Sequence, residues 1–137
     1  MNATILKENT IPKTLIALLK IKDNQRIALI CGTKNQQLAI LSDLKDFFGD
    51  QITFNKQNEE VNFKNNILTL TTTRTFQPMG ELYDYILFLD FFHTLLGHTL
   101  YKLQQQFIQC LHRANYKTEI IIFNDNPFHN EITKNIL

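Results

Sequence analysis

A chain of 137 residues, 44% hydrophobic and 20% charged, fits one domain with a real core, spanning residues 1–137, and is too short to divide further. Its 14 Lys and Arg against 13 Asp and Glu leave a formal net charge of +1, which excludes a global electrostatic pull toward nucleic acid or an anionic membrane, so any such binding needs a local patch. No apolar run reaches membrane-spanning length, and the start, MNATILKENTIPKT, lacks a basic segment followed by an unbroken apolar stretch; a cytoplasmic protein with no membrane partner is expected.

Pro12 suits a first helical turn, and Leu15, Leu18 and Leu19 follow at helical spacing, which predicts a helix from about Pro12 to Lys22 ending in the turn Asp23-Asn24-Gln25. RIALIC is short, apolar and closed by Gly32, the pattern of a parallel strand buried on both faces. Leu38, Leu41, Leu44 and Phe48 mark an amphipathic helix over Asn35 to Phe48, stopped at Gly49, and QITF is a short strand. The Asn-rich stretch from Asn55 to Asn66 reads as a polar, mobile loop. ILTLTTT and YDYILFLDFF are strands by their β-branched and apolar density. A long helix over His98 to Ala114, a buried strand KTEIIIF and a short helix from Glu131 complete the chain. This alternation predicts a three-layer α/β/α domain whose mainly parallel sheet has about five strands.

In such sheets ligands collect at the carboxyl ends of strands, so the loops after Cys31, Thr71 and Asp90 are the places to look. GTKNQQ has too few glycines to wrap backbone amides around a phosphate, and Gly32 reads as easing a turn. Lys13-Thr14 opens a helix as the Lys-Ser/Thr pair of a P-loop does, but Pro12 replaces the glycine, no glycine precedes it at loop spacing, and no strand is evident upstream. Asp90 ends an apolar strand where a magnesium-binding aspartate would lie, followed by Phe91 rather than a general-base glutamate. His93 and His98 are wrongly spaced for a shared metal, and Cys31 and Cys110 read as reduced core thiols.

The stretch Ile67 to Asp90, ILTLTTTRTFQPMGELYDYILFLD, resembles without a gap the motif V region of superfamily 2 helicases, especially the replication-restart helicase PriA. QCLHRANY, Gln109 to Tyr116, falls where that family has motif VI, and EIIIFNDNPFHNEI resembles its closing strand and Asn-Pro-x-His segment. RIALICGTKNQQLAILSDLKDFF resembles the strand and helix that open the second motor domain, so the resemblance covers roughly Arg26 to Ile132 in the family's order. It implies a RecA-like domain in which Thr71, Gln109 and Arg113 keep family positions, Gln77 and His112 stand in place of glycines, and Tyr116 in place of a second arginine. Arg113 would then stabilise charge developing in phosphoryl transfer on ATP held by another domain. Size and element order also resemble the chi subunit of the bacterial polymerase clamp loader, which binds proteins rather than nucleotide.

Without a glycine-rich loop or an acid-plus-base pair, the expected function is that of a non-catalytic, helicase-like binding module, not an enzyme and with no cofactor. It would dock on a DNA replication or repair protein or on DNA, with Arg74, Lys102, Gln106, Gln109, Arg113 and Lys117 as contacts. The alternatives are a nucleotide-binding subunit completing an ATPase in trans, with Lys13, Thr14, Asp90 and Arg113 at the nucleotide, and a chi-like accessory subunit.

Overall fold

Strands with apolar residues on both sides of the backbone must be covered on both faces, and the sheet is built accordingly. The computed structural model describes residues 2–21, 23–72, 83–89 and 118–123. In chain order these form β1 (Asn2–Leu6), α1 (Ile11–Ile21), β2 (Arg26–Cys31), α2 (Lys34–Phe48), β3 (Ile52–Asn55), β4 (Glu60–Phe63), β5 (Asn66–Thr72), β6 (Tyr85–Leu89) and β7 (Glu119–Phe123). The long helix expected over His98 to Ala114 and the helix from Glu131 lie outside the described residues.

The described strands make one sheet in the order β1-β7-β6-β2-β5-β4-β3. From β1 to β5 all neighbours are parallel, whereas β4 is antiparallel to β5 and β3 to β4. The fold is therefore α/β, and the described sheet is mainly parallel, as expected, but it has seven strands rather than about five and is mixed, because β4 and β3 run antiparallel at one edge.

The difference lies in two strands. β1 holds only Ile5 and Leu6 as large apolar residues, too few to stand out in the sequence, and its partner β7 is more than a hundred residues away. β4 falls within the stretch expected to be a mobile loop. In fact Glu60-Val61-Asn62-Phe63 alternates, with Val61 and Phe63 buried, and the two-residue turn Lys64-Asn65 returns the chain into β5. Lys64 adopts the left-handed backbone this turn needs, φ 53°.

Period-two alternation divides the sheet residues between two apolar layers. Ile27, Leu29, Cys31, Leu87 and Phe123 face α1 and α2, whose own stripes Ile11, Leu15, Leu19 and Ile40, Leu41, Leu44, Phe48 pack there. Ala28, Ile30, Ile86, Phe88, Ile120 and Ile122 are buried on the opposite face. Cys31 is a buried free thiol, as expected; Cys110 lies outside the described residues.

The amino-terminal edge of the sheet is closed by side chains. Asp84 accepts from Arg26 N–H (2.8 Å), and the Thr118 hydroxyl donates to the Tyr83 carbonyl (2.6 Å). Asn66, fully buried, accepts from Gln25 N–H (2.9 Å) and donates to the Leu19 carbonyl (3.0 Å), tying the end of α1 to β2 and β5. What remains open to chemistry is the opposite, carboxyl edge.

Candidate functional site

The register brings the carboxyl ends of the parallel strands level. Leu6 pairs with Phe123, Phe123 with Leu89, and Cys31 with Thr72, while Ile30 pairs with Phe88. Two strand-to-helix junctions leave this edge toward the same face, β1 to α1 and β2 to α2.

At the first junction a single 3-10 turn, Glu8–Thr10, folds back so that the Thr10 backbone and hydroxyl both donate to the Lys7 carbonyl, at 3.1 and 2.6 Å. Lys13 and Thr14 follow in the first turn of α1. Lys13 is exposed, two residues from both Ile11 and Leu15 and so opposite the core stripe, and Thr14 is half-buried on its flank. The sequence showed no strand leading into this pair, and β1 corrects that reading: the order is strand, short loop, helix. β1 and β6 are separated only by β7, about 10 Å at ordinary strand spacing. The chain then runs from Leu89 directly into Asp90. Asp90 and Arg113, and the proposed contact residues Arg74, Lys102, Gln106, Gln109 and Lys117, lie outside the described residues.

The second junction spends its amides internally. Thr33 is the N-cap of α2, and its hydroxyl accepts from Gln36 N–H (3.2 Å). The Gln36 side-chain oxygen in turn accepts from the backbone N–H of Gly32 (3.0 Å) and Thr33 (3.2 Å). This reciprocal cap holds the amides that a phosphate would need.

Behind this cap lies a hydrogen-bonded cluster that the sequence reading missed. Gln37, buried on α2, donates through one nitrogen to the Glu59 carboxylate (2.6 Å) and to the Leu70 carbonyl (2.7 Å). Thr71 donates its hydroxyl to the other Glu59 oxygen (3.3 Å), and the Glu59 carbonyl accepts from Leu70 N–H (2.8 Å). Glu59 reaches this position from the β3–β4 turn with φ 54°, a conformation rare outside glycine. Burial, and secondarily the negative charge of Glu59, push the Cys31 thiol up to about 12. Cys31 is therefore a protonated core group and no nucleophile.

Gln37 and Glu59 also line a cleft of about 780 Å³ between α2 and the β3–β4 turn, with Lys34, Lys56, Leu41 and Phe54 among its walls. Lys34 and Gln37 sit one helical turn apart, a spacing visible in the sequence; Glu59 is 22 residues from Gln37, and no local pattern announces it. Among the described residues no group of three or more His, Cys, Asp or Glu is placed to hold a metal, and no helix is long and apolar enough to cross a membrane.

No protein-family model matches the chain, and no curated protein matches its sequence. Solved structures do resemble it. The large terminase of bacteriophage HK97 superposes with a TM-score of 0.61 at 11% identity, covering 99% of this chain and 33% of the terminase, so the chain spans about a third of that protein's length. The large terminase ATPase domain of Thermus phage P74-26 gives a TM-score of 0.48 at 8% identity, over 91% of this chain and 59% of that one. The resemblances to PriA and to the chi subunit gain no support from these structures. The expectation that the chain is not an enzyme is overturned, because its worn motifs sit on a fold shared with a terminase, and motif loss alone does not set it apart from enzymes of that fold.

Proposed function

We propose that this domain binds a nucleoside triphosphate at the carboxyl edge of the sheet, between β1 and β6, in a DNA-associated role. The observation that carries the reading is topological: β1 leads into the Lys13-Thr14 helix start and is separated only by β7 from β6, and the chain of β6 continues into Asp90. A lysine at the opening of a helix supplies charge for the outer phosphates, and a hydroxyl with a carboxylate is a donor set that suits a hard cation such as magnesium. Thr14 and Asp90 would hold that cation, and it would neutralise charge on the phosphates.

The loop departs from a glycine-rich one in a way that concentrates the work on Lys13. Pro12 has no N–H, and the Thr10 N–H is already bonded to Lys7, so fewer amides are left for phosphate. The DNA association draws on the fold shared with the HK97 large terminase. Arg74, Lys102, Gln106, Gln109, Arg113 and Lys117 are the contacts we propose for DNA or for a protein bound to it.

Calorimetric titration of ATP with magnesium tests the nucleotide site. Binding is expected, and Lys13→Ala is expected to weaken it at least about tenfold, the scale of one charge-assisted hydrogen bond. No heat at millimolar ATP, or binding indifferent to Lys13, would overturn the reading.

A further inference from the structure

The cleft beside α2 is lined also by Gly32, Thr33 and Thr72, at the carboxyl ends of β2 and β5, and so lies on the same edge as the proposed nucleotide site but on the other side of β2 from β1 and β6. Its walls are of two kinds. Leu38, Leu41 and Phe54 form an apolar side, on which Leu38 is 51% exposed and Phe54 half-buried. Facing them is the Glu59 carboxylate, fixed from behind by Gln37 and Thr71. A carboxylate has about four acceptor sites, so after these two bonds Glu59 keeps acceptor capacity in a residue that lines the cleft. Lys34, the first residue of α2, and Lys56, in the β3–β4 turn, are exposed on either side. Two cations thus oppose one carboxylate, and the volume of about 780 Å³ is that of a site for a nucleotide-sized ligand.

We propose that this cleft takes one nucleotide unit of a single DNA strand. The base lies on Phe54 and Leu41, an exocyclic amino group donates to Glu59, and the flanking phosphates lie between Lys34 and Lys56. Each part answers a need of that ligand: an apolar and aromatic surface for a base face, a fixed acceptor for an amino group such as that of cytosine, and mobile cations for phosphates. The assignment stands independently of the ATP reading at β1. A free nucleotide carries the same groups and is the other possible source of this chemistry.

Fluorescence anisotropy with a labelled ten-nucleotide oligodeoxycytidine tests it, using the whole chain. Binding is expected at low salt, with preference over oligothymidine, and Glu59→Gln is expected to erase the preference. The pair Lys34→Ala and Lys56→Ala, both at exposed positions, is expected to weaken binding at least about tenfold and to reduce the slope of log K against log salt by about 1.4, the share of two single-strand phosphates. Absence of binding at about 50 mM salt, or full affinity in the double variant, would overturn the proposal. Free deoxycytidine monophosphate is expected to compete poorly, and displacement at equal nucleotide concentration would overturn the assignment to a strand. Heat from ATP and magnesium titrated into the same double variant reports the β1 site separately, so failure of one reading is distinguishable from failure of the other.

Discussion

The two strand-to-helix junctions on the carboxyl edge make a natural comparison, because they share a sheet, a direction and a face and yet dispose of their backbone amides differently. After β2, a glycine and a threonine lead into α2, which looks in sequence like the better anion site; in the structure the amides of Gly32, Thr33 and Gln36 are all bonded within the reciprocal cap. After β1 there is no glycine, but a lysine and a threonine stand in the first turn of α1. Glycine content measures how freely a loop can bend, whereas anion binding depends on which amides and charges remain unspent. On that criterion the backbone amides of the β2 junction are spent on structure, leaving only side chains such as Lys34 there, whereas the β1 junction pairs an exposed lysine with a hydroxyl in its first helical turn.

The comparison can be broken at the packing of α1. That helix meets the sheet through Ile11, Leu15 and Leu19, and Leu15 is fully buried. Leu15→Ala should cost about 2–5 kcal/mol in urea unfolding. A cost near zero would mean that α1 does not rest on this core and that its junction is not held as described. Next in size is the loss of ATP binding on Lys13→Ala. Thr33→Ala sharpens the contrast: it should lower stability by about 1 kcal/mol, the usual worth of such a cap, and leave ATP binding unchanged. If Thr33→Ala instead weakened ATP binding as Lys13→Ala does, the roles assigned to the two junctions would have to be exchanged.

The parts of this fold that show in the sequence are those whose stabilising contacts repeat locally. The core stripes of α1 and α2 and the doubly buried runs of β2, β6 and β7 each satisfy a period within a few residues. β1 escaped because it presents only two large apolar residues and pairs with the distant β7, and β4 because its four residues offer only Val61 and Phe63 as apolar positions inside an Asn-rich stretch. The same division runs through the site. Lys13-Thr14 was visible as a helix opening, but what makes it a candidate is the strand before it. Glu59 was invisible, since its carboxylate is placed by a left-handed turn residue and by Gln37 and Thr71 from other elements. The asparagines around it read as loop, correctly for Asn58 in the β3–β4 turn and incorrectly for Asn55, which ends β3 and whose side chain accepts from Gln57 N–H (2.9 Å), and for Asn62 within β4.

The smallest expected effect at neutral pH comes from Cys31, the last residue of β2, and it tests whether the second junction is closed. Burial first, and the charge of Glu59 second, raise its pKa from 9.0 to about 12. A thiol that holds its proton more tightly in the folded chain adds stability that is complete below its unfolded value and is lost as pH rises through its folded value. Stability should therefore be unaffected by this group up to about pH 9 and decline toward pH 12, by at most about 1.4 kcal/mol per pH unit. In a Cys110→Ser background, a disulfide reagent near neutral pH should leave Cys31 untouched in the native chain and label it fully in urea. Glu59→Gln removes the charge but not the burial, so the decline should still begin near pH 9 but end at a folded value lower than that of the parent. Rapid labelling of the native thiol would show that solvent reaches the end of β2, and the cap behind Gly32 could no longer be described as closed to a ligand.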